Sequence, residues 1–329
     1  MKCISKYVLC GLLSIALAMQ VTGCSKQSVV LENPYPVYNT ASAASLVQSG
    51  KEEGLSYFGT NLCVGGMENI GLESTDEQVC EGAGLFNTST GAIPYAKNIY
   101  ERLYPASTTK IMTCYLALQY GNLDDIVTVS ADAANMASDS SVCGLKAGDQ
   151  ITLRDLLYGL MMRSGNDAAV AIAEYISGDI DTFAGLMNTT AASLGATGTH
   201  FVNPNGLPDD NHYTTVYDLY LIFQAAIQDE TFLEILKTTD YTANYMDAAG
   251  VPVSQEWTST NKYLAGTEKA PDGITILGGK TGTTGEAGYC LVLLSQNTSG
   301  QNIISIVLKA DCKSNLYLLM NEMLQQYGN

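Results

Sequence analysis

The stretch Pro105-Ala106-Ser107-Thr108-Thr109-Lys110-Ile111-Met112-Thr113 puts a serine three residues ahead of a lysine, where an apolar helical pattern running to Tyr120 begins. That spacing sets both side chains on one helical face. A serine hydroxyl is a weak nucleophile until a neighbour removes its proton, and a lysine can do so once burial and nearby cations lower its pKa. The helix start adds backbone N–H groups suited to developing negative charge. Alone, the spacing occurs by chance in many helices, as a capping serine and a surface lysine.

Two further segments change its weight. Ser164-Gly165-Asn166 falls between two helical patterns, 57 residues beyond Ser107. Lys280-Thr281-Gly282 ends an apolar strand 116 residues further on, followed by Thr283-Thr284-Gly285. Singly, the first reads as a helix cap and the second as a turn. Together they supply a second serine, a second lysine and an amide at the element boundaries that a cleft requires.

Around these segments, Gly82–Phe86 and Ala92–Tyr95 flank Asn87-Thr88-Ser89-Thr90-Gly91 as a hairpin. Thr152 and Asp155 form a capping box before Leu156–Met162. Helices follow over Asp167–Ile176 and Asp181–Leu194, the second closed by Gly195, and Thr215 with Asp218 caps Leu219–Ile227. Ile274–Leu277, Gly288–Ser295 and Asn302–Lys309 are short apolar strands, the last two joined across Asn297-Thr298-Ser299-Gly300, and Asn315–Tyr327 is a final helix. Strands, a helical block, strands and a helix imply a mixed α/β (α+β) fold: the first and last strands form one sheet, with the helical block as a second lobe.

These motifs resemble the low-molecular-weight penicillin-binding proteins of the D-alanyl-D-alanine carboxypeptidase family, which carry SxxK, an SDN-type triplet and KTG. Ser164-Gly165-Asn166-Asp167-Ala168-Ala169, Asn203-Pro204-Asn205-Gly206-Leu207, Gly278-Gly279-Lys280-Thr281-Gly282 and Glu286-Ala287-Gly288-Tyr289-Cys290 carry the resemblance too, across roughly residues 55–328. It implies a serine β-lactamase/DD-peptidase-like fold. An antiparallel sheet flanked by helices (about 55–105 and 255–329) would face an all-helical lobe (about 106–254), with the active site between them.

The resemblance also implies roles. Ser107 attacks the carbonyl between two terminal D-alanines of a peptidoglycan stem peptide, and Lys110 takes its proton. Backbone N–H groups of Ser107 and Thr283 form the oxyanion hole. Ser164, supported by Lys280, protonates the leaving D-alanine. Asn166 holds the substrate amide, while Lys280, Thr281, Gly282 and Thr283 receive the terminal carboxylate. β-Lactams acylate the same serine, and no metal or cofactor is needed. A basic residue near the last strand assists in the family; Lys309 and Lys313 are the candidates. The middle motif reads Ser-Gly-Asn instead of Ser-Asp-Asn, which suits the carboxypeptidase branch. On this reading the C-terminal β-rich domain and amphipathic membrane helix that many family members carry are expected to be absent.

At the N-terminus, Lys2 and Lys6 precede an apolar run, Val8–Met19, of signal-peptide length, which ends at Val21-Thr22-Gly23-Cys24. This resembles a bacterial lipobox, with Cys24 acylated. Residues 1–23 are then a lipoprotein signal peptide and 24–54 a tether, reaching on the order of 100 Å if extended. A catalytic domain over 55–329 would stand on the outer face of the cell membrane. Of nine cysteines, six remain after the lipid site, and an exported chain permits disulfides; Cys63 with Cys80 is the one pairing suggested. The formal charge of −17 argues against nucleic acid, whose phosphates require clustered Lys and Arg.

Competing readings are weaker. Gly278-Gly279-Lys280-Thr281 resembles the end of a phosphate-binding loop, but Ile274 stands where the first glycine is required. A Ser-His-Asp hydrolase would need His200 or His212, and no GxSxG elbow is present. His200 reads as structural and His212 as a loop residue near the cleft, while Trp257 reads as packing before glycan contact. A β-lactamase would add an ExxLN-like segment between Ser164 and Lys280, and none is found. A D,D-endopeptidase would use the same residues, and a penicillin-binding sensor would lack turnover.

Overall fold

Gly288–Gln296 and Asn302–Ala310 are apolar with hardly a polar interruption, so strands there must be covered on both faces. The computed structural model, which describes residues 62–71 and 79–329, shows how this is done. The proposed signal peptide, Cys24 and tether lie outside the described residues. Strand β1 (Cys80–Asn87) pairs with β2 (Ala92–Lys97) as the expected hairpin and with β9 (Asn302–Ala310) on its other side. The antiparallel sheet continues through β8 (Gly288–Gln296) to β7 (Thr275–Thr284), in the order β2-β1-β9-β8-β7. β7 is therefore an edge strand, with backbone groups free to meet something other than a strand.

One face of this sheet is sealed by the C-terminal helix α8 (Lys313–Tyr327), whose Leu316, Leu319, Met320, Met323 and Leu324 pack on Leu85, Leu291, Leu293 and Val307. The other face meets the helical lobe. At its centre is α1 (Lys110–Tyr120), preceded by a 3₁₀ turn, Ala106–Thr109. Around it stand α4 (Asn166–Ser177), α5 (Ile180–Ser193), α6 (Val216–Ala226) and α7 (Glu230–Lys237). α2 (Ala131–Ala134) is a single turn. α3 (Leu153–Tyr158), capped by Thr152 as predicted, runs on as a π-helical turn over Gly159–Arg163.

The lobe expected to be all helical also carries a four-stranded antiparallel sheet, β3 (Ile126–Thr128), β4 (Gln150–Thr152), β5 (Asp240–Met246) and β6 (Pro252–Thr258). The lobe boundary placed near residue 254 cuts through β6. Trp257 is buried beside Gly159 and stacks on Tyr241, so it belongs to the core. The suggested Cys63–Cys80 disulfide is absent: all six described cysteines are free thiols. Cys63 packs between sheet and helical lobe, and Cys80 lies in the separate core beneath α8. Among the described residues no helix is long and apolar enough to cross a membrane.

Candidate active site

The 3₁₀ turn carrying Ser107 begins from Ala106 at φ 47°, a conformation unfavourable for a residue with a side chain. It is held there by the segment Asn203–Leu207. Gly206 packs so closely that a Cβ on it would stand 1.8 Å from the Ala106 carbonyl oxygen. The lysine that follows is fully buried, and its three polar contacts are Ser107 Oγ (2.9 Å), Asn166 Oδ1 (2.8 Å) and the Asn205 carbonyl (2.6 Å). Burial first, and the charge of Lys280 second, hold Lys110 well below the usual lysine range.

That geometry suits a base. A neutral amine has two N–H groups and one lone pair. Asn166 Oδ1 and the Asn205 carbonyl oxygen can only accept, so they take both hydrogens. The lone pair is left for the Ser107 hydroxyl.

Ser164 occupies the left-handed region at φ 58°, directly after the π-helical turn and before α4. Such strain on a non-glycine residue is typical of positions fixed for function. Its Oγ accepts from Lys280 Nζ at 2.9 Å, and Lys280 also donates to the Thr281 carbonyl at 2.8 Å. Burial alone brings Lys280 down to about 7. Because Ser164 Oγ accepts from Lys280, its own O–H is free to donate into the cleft. Asn166 is fixed at both ends of its amide, with Nδ2 donating to Ser140 Oγ (3.3 Å). The loop that includes Ser140 is in turn gripped by the buried Asp167 carboxylate, which accepts the N–H groups of Cys143, Gly144 and Leu145.

Ser107, Ser164, Thr281, Gly282 and Thr283 line one cavity of about 380 Å³, together with Thr260, Tyr289 and Lys313. Thus every predicted residue of the described part converges: Ser107, Lys110, Ser164, Asn166, Lys280, Thr281, Gly282 and Thr283. The two candidate cations separate: Lys313 lines the cavity, while Lys309 pairs with Glu81 at 2.8 Å. The sequence did not reveal Thr260, whose hydroxyl meets that of Thr281 at 2.8 Å, or the Asn205 carbonyl, a backbone group without a side-chain signature. His212 is a loop residue beside the cleft, as expected, but fully buried behind the Ser107 turn, with a ring nitrogen 2.9 Å from Thr109 Oγ1. His200 is structural, its ring bonded to the Asn211 carbonyl. Among the described residues no cluster of His, Cys, Asp and Glu could hold a metal.

Fold and site together define a serine β-lactamase/DD-peptidase-like protein, with the Ser107 turn facing an edge strand across a lysine-bearing cleft. Within that class the chain belongs to the D-alanyl-D-alanine carboxypeptidase family, peptidase family S11, whose model matches residues 73–312. The D-alanyl-D-alanine carboxypeptidase DacF of Bacillus subtilis is 37% identical over 236 residues, covering 70% of this chain and 57% of that protein. The D-alanyl-D-alanine carboxypeptidase of Streptomyces sp. strain K15 is 37% identical over 238 residues, covering 69% and 79%. A crystal structure titled as the Streptomyces K15 DD-transpeptidase superposes with a TM-score of 0.68 at 33% identity, over 75% of this chain and 98% of that one. The chain spans little more than half of the Bacillus relative.

Proposed function

We propose that the chain is a serine-type D-alanyl-D-alanine carboxypeptidase that removes the terminal D-alanine from peptidoglycan stem peptides and is acylated by β-lactams. The observation that carries this reading is the buried Lys110 amine, in contact with two pure acceptors and with Ser107 Oγ, so that in its neutral form only the lone pair is left for the serine.

The reaction follows from the contacts. Lys110 takes the Ser107 proton as Oγ bonds to the carbonyl carbon, and the oxyanion turns toward backbone N–H groups of Ser107 and Thr283. When the C–N bond breaks, the Ser164 hydroxyl gives its proton to the leaving amine and Lys280 resupplies Ser164. Water then attacks the ester. Its proton returns to Lys280 through Ser164, and Lys110 returns its own to Ser107. Lys280, Thr281, Thr283 and Lys313 receive the substrate carboxylate, Lys313 being the basic side chain that borders the cavity.

The likeness to the Streptomyces K15 DD-transpeptidase supports a second outcome at the ester, transfer to an amine in place of water, since the acylation apparatus serves both. We also propose that Cys24 carries lipid and tethers the domain to the outer face of the cell membrane. The lipobox-like Val21–Cys24 after an apolar run supports this. Mass spectrometry of membrane-extracted protein should find an acylated Cys24 as first residue; any other N-terminus overturns the anchor.

For the reaction, a peptide ending in Lys-D-Ala-D-Ala is supplied with and without a glycine acceptor, beside labelling by a fluorescent penicillin. D-Alanine release and a stable label are expected. Both should vanish in Ser107→Ala and fall by on the order of a thousandfold in Lys110→Gln. Dominant aminolysis would make the protein a transpeptidase, rapid loss of the label a β-lactamase, and a label without release a sensor or an endopeptidase.

A further inference from the structure

His212 touches neither nucleophile nor base, yet the segment that carries the base's orienting carbonyl starts beside it. Two short antiparallel bridges, Leu103 to Thr214 and His200 to Tyr213, lay residue 212 beside Val202 and behind the nucleophile turn. The Val202 N–H points at His212 Nδ1 at 3.1 Å, and a backbone N–H can only donate. Nδ1 therefore keeps its lone pair, the ring proton sits on Nε2, and Nε2–H donates to Thr109 Oγ1 at 2.9 Å. The edge of Phe201 closes over the ring at 5.5 Å between centroids.

The segment that leaves Val202 is stiff. Asn203 Oδ1 accepts the N–H groups of Asn205 and Gly206, and Asn203 Nδ2 donates to the Leu207 carbonyl. Pro204 accepts from Thr113 Oγ1 at 2.6 Å and Asn205 from Lys110 Nζ at 2.6 Å. A stiff loop needs only to be fixed at its root.

We propose that His212, as the neutral Nε2–H tautomer, is a positioning residue. It latches the root of the Asn203–Leu207 segment to Thr109 and so fixes the Asn205 carbonyl that turns the Lys110 lone pair toward Ser107. The proposal deepens the acyl-enzyme reading and rests on it. Burial brings the imidazole down to about 4, so the latch stays neutral across the range in which a lysine base operates. A disturbed latch leaves the substrate groove intact and misdirects the base, so the loss falls on bond formation rather than on binding.

The test separates the two steps by following penicillin acylation against drug concentration. Thr109→Val keeps the side-chain volume and removes the acceptor. Its bond-forming rate should fall about tenfold, the worth of one buried hydrogen bond, with the binding constant unchanged. Thr109→Ser restores the hydroxyl and should recover most of that loss. His212→Phe, which keeps the ring against Phe201 but leaves the Val202 N–H unpaired, should lose more. Thr109→Val acylating at the wild-type rate, losing only affinity, or matched in its defect by Thr109→Ser would overturn the latch. If His212→Phe does not fold, the threonine pair decides. The latch is also read without turnover: ¹⁵N shifts of His212 should show a protonated Nε2 and a bare Nδ1 at pH 6. The opposite tautomer or an imidazolium overturns it even if wild-type labelling fails, a failure that would count against the acyl-enzyme reading itself.

Discussion

A Cβ placed on Gly165 would fall 2.3 Å from Cys143 Sγ and 2.8 Å from Asp167 Oδ1, so the middle position of Ser-Gly-Asn is confined to glycine by its neighbours. The thiol is wholly enclosed, and burial pushes its pKa well up, so it acts here as a small apolar plug. Gly165→Ala is expected to destabilise the protein by about 1–3 kcal/mol through overpacking. Cys143→Ala should recover part of that loss, an interaction that a double-mutant cycle in urea detects. Strict additivity of the two substitutions would mean that the thiol is not what excludes a side chain. The departure from Ser-Asp-Asn was visible in the sequence. Its cause was not, because Cys143 lies in a separate loop and only the fold brings it under Gly165. The same holds for Lys110. The SxxK spacing gave its partner Ser107, one helical turn away, whereas the Asn205 carbonyl arrives from 95 residues downstream and leaves no mark on residue type.

Elements with a strong period were legible for a physical reason. α5 and α8 bury apolar residues at helical spacing, α1 and α4 are buried nearly all round, and β8 and β9 are continuous apolar runs, so burial itself wrote their pattern. The small sheet did not: β3 and β4 have three residues each, and β5 and β6 alternate between exposed and half-buried polar positions with few core residues. Asn203–Leu207 was noticed as a motif, but its service to the nucleophile turn depends on a close approach of two backbones. Gly206 is the point of contact. It has φ 85° and its absent side chain would overlap the Ala106 carbonyl, a backbone atom that cannot swing away. Gly206→Ala must therefore push the segment off the turn and carry the Asn205 carbonyl with it. The expected result is loss of penicillin acylation by a hundredfold or more, on the order seen when reacting groups are misplaced by an ångström. Near-UV circular dichroism of the sheet and α8 should persist, since those elements pack elsewhere. Acylation at the wild-type rate would show that the close approach is dispensable.

At the scale of the whole molecule, the fold holds several bases in their neutral form, and that sets how stability depends on pH. A base whose pKa is lower in the folded than in the unfolded chain makes the unfolded state bind more protons between the two values. Stability therefore rises with pH through that interval. His212, brought from 6.5 to about 4 by burial, with His200 and Lys110 adding to the effect and Asp209 opposing it, operates between those limits and is worth about 3 kcal/mol. Asp218, raised by burial, works against it at the acid end. Lys280, brought from 10.5 to about 7, acts over the next interval with up to about 5 kcal/mol, and Lys110 acts in the same direction. From about pH 9 the sign reverses. Buried thiols such as Cys80, Cys114 and Cys290, and above pH 10 buried phenols such as Tyr220, Tyr241 and Tyr263, are raised by desolvation, so there the unfolded chain sheds protons that the folded chain keeps. The chain is thus expected to be more stable at pH 8.5 than at pH 7, although its formal charge of −17 makes the folded form self-repelling there. Thermal midpoints across pH 4–11 measure this, with Lys280→Met as the control that removes a base from the alkaline interval. A wild-type midpoint that climbs by several degrees from pH 7 to 8.5, and climbs less in the variant, fits a Lys280 whose pKa burial has brought down. A midpoint that is flat or falls over that interval would mean that Lys280 keeps its charge in the folded protein and is not brought down by burial.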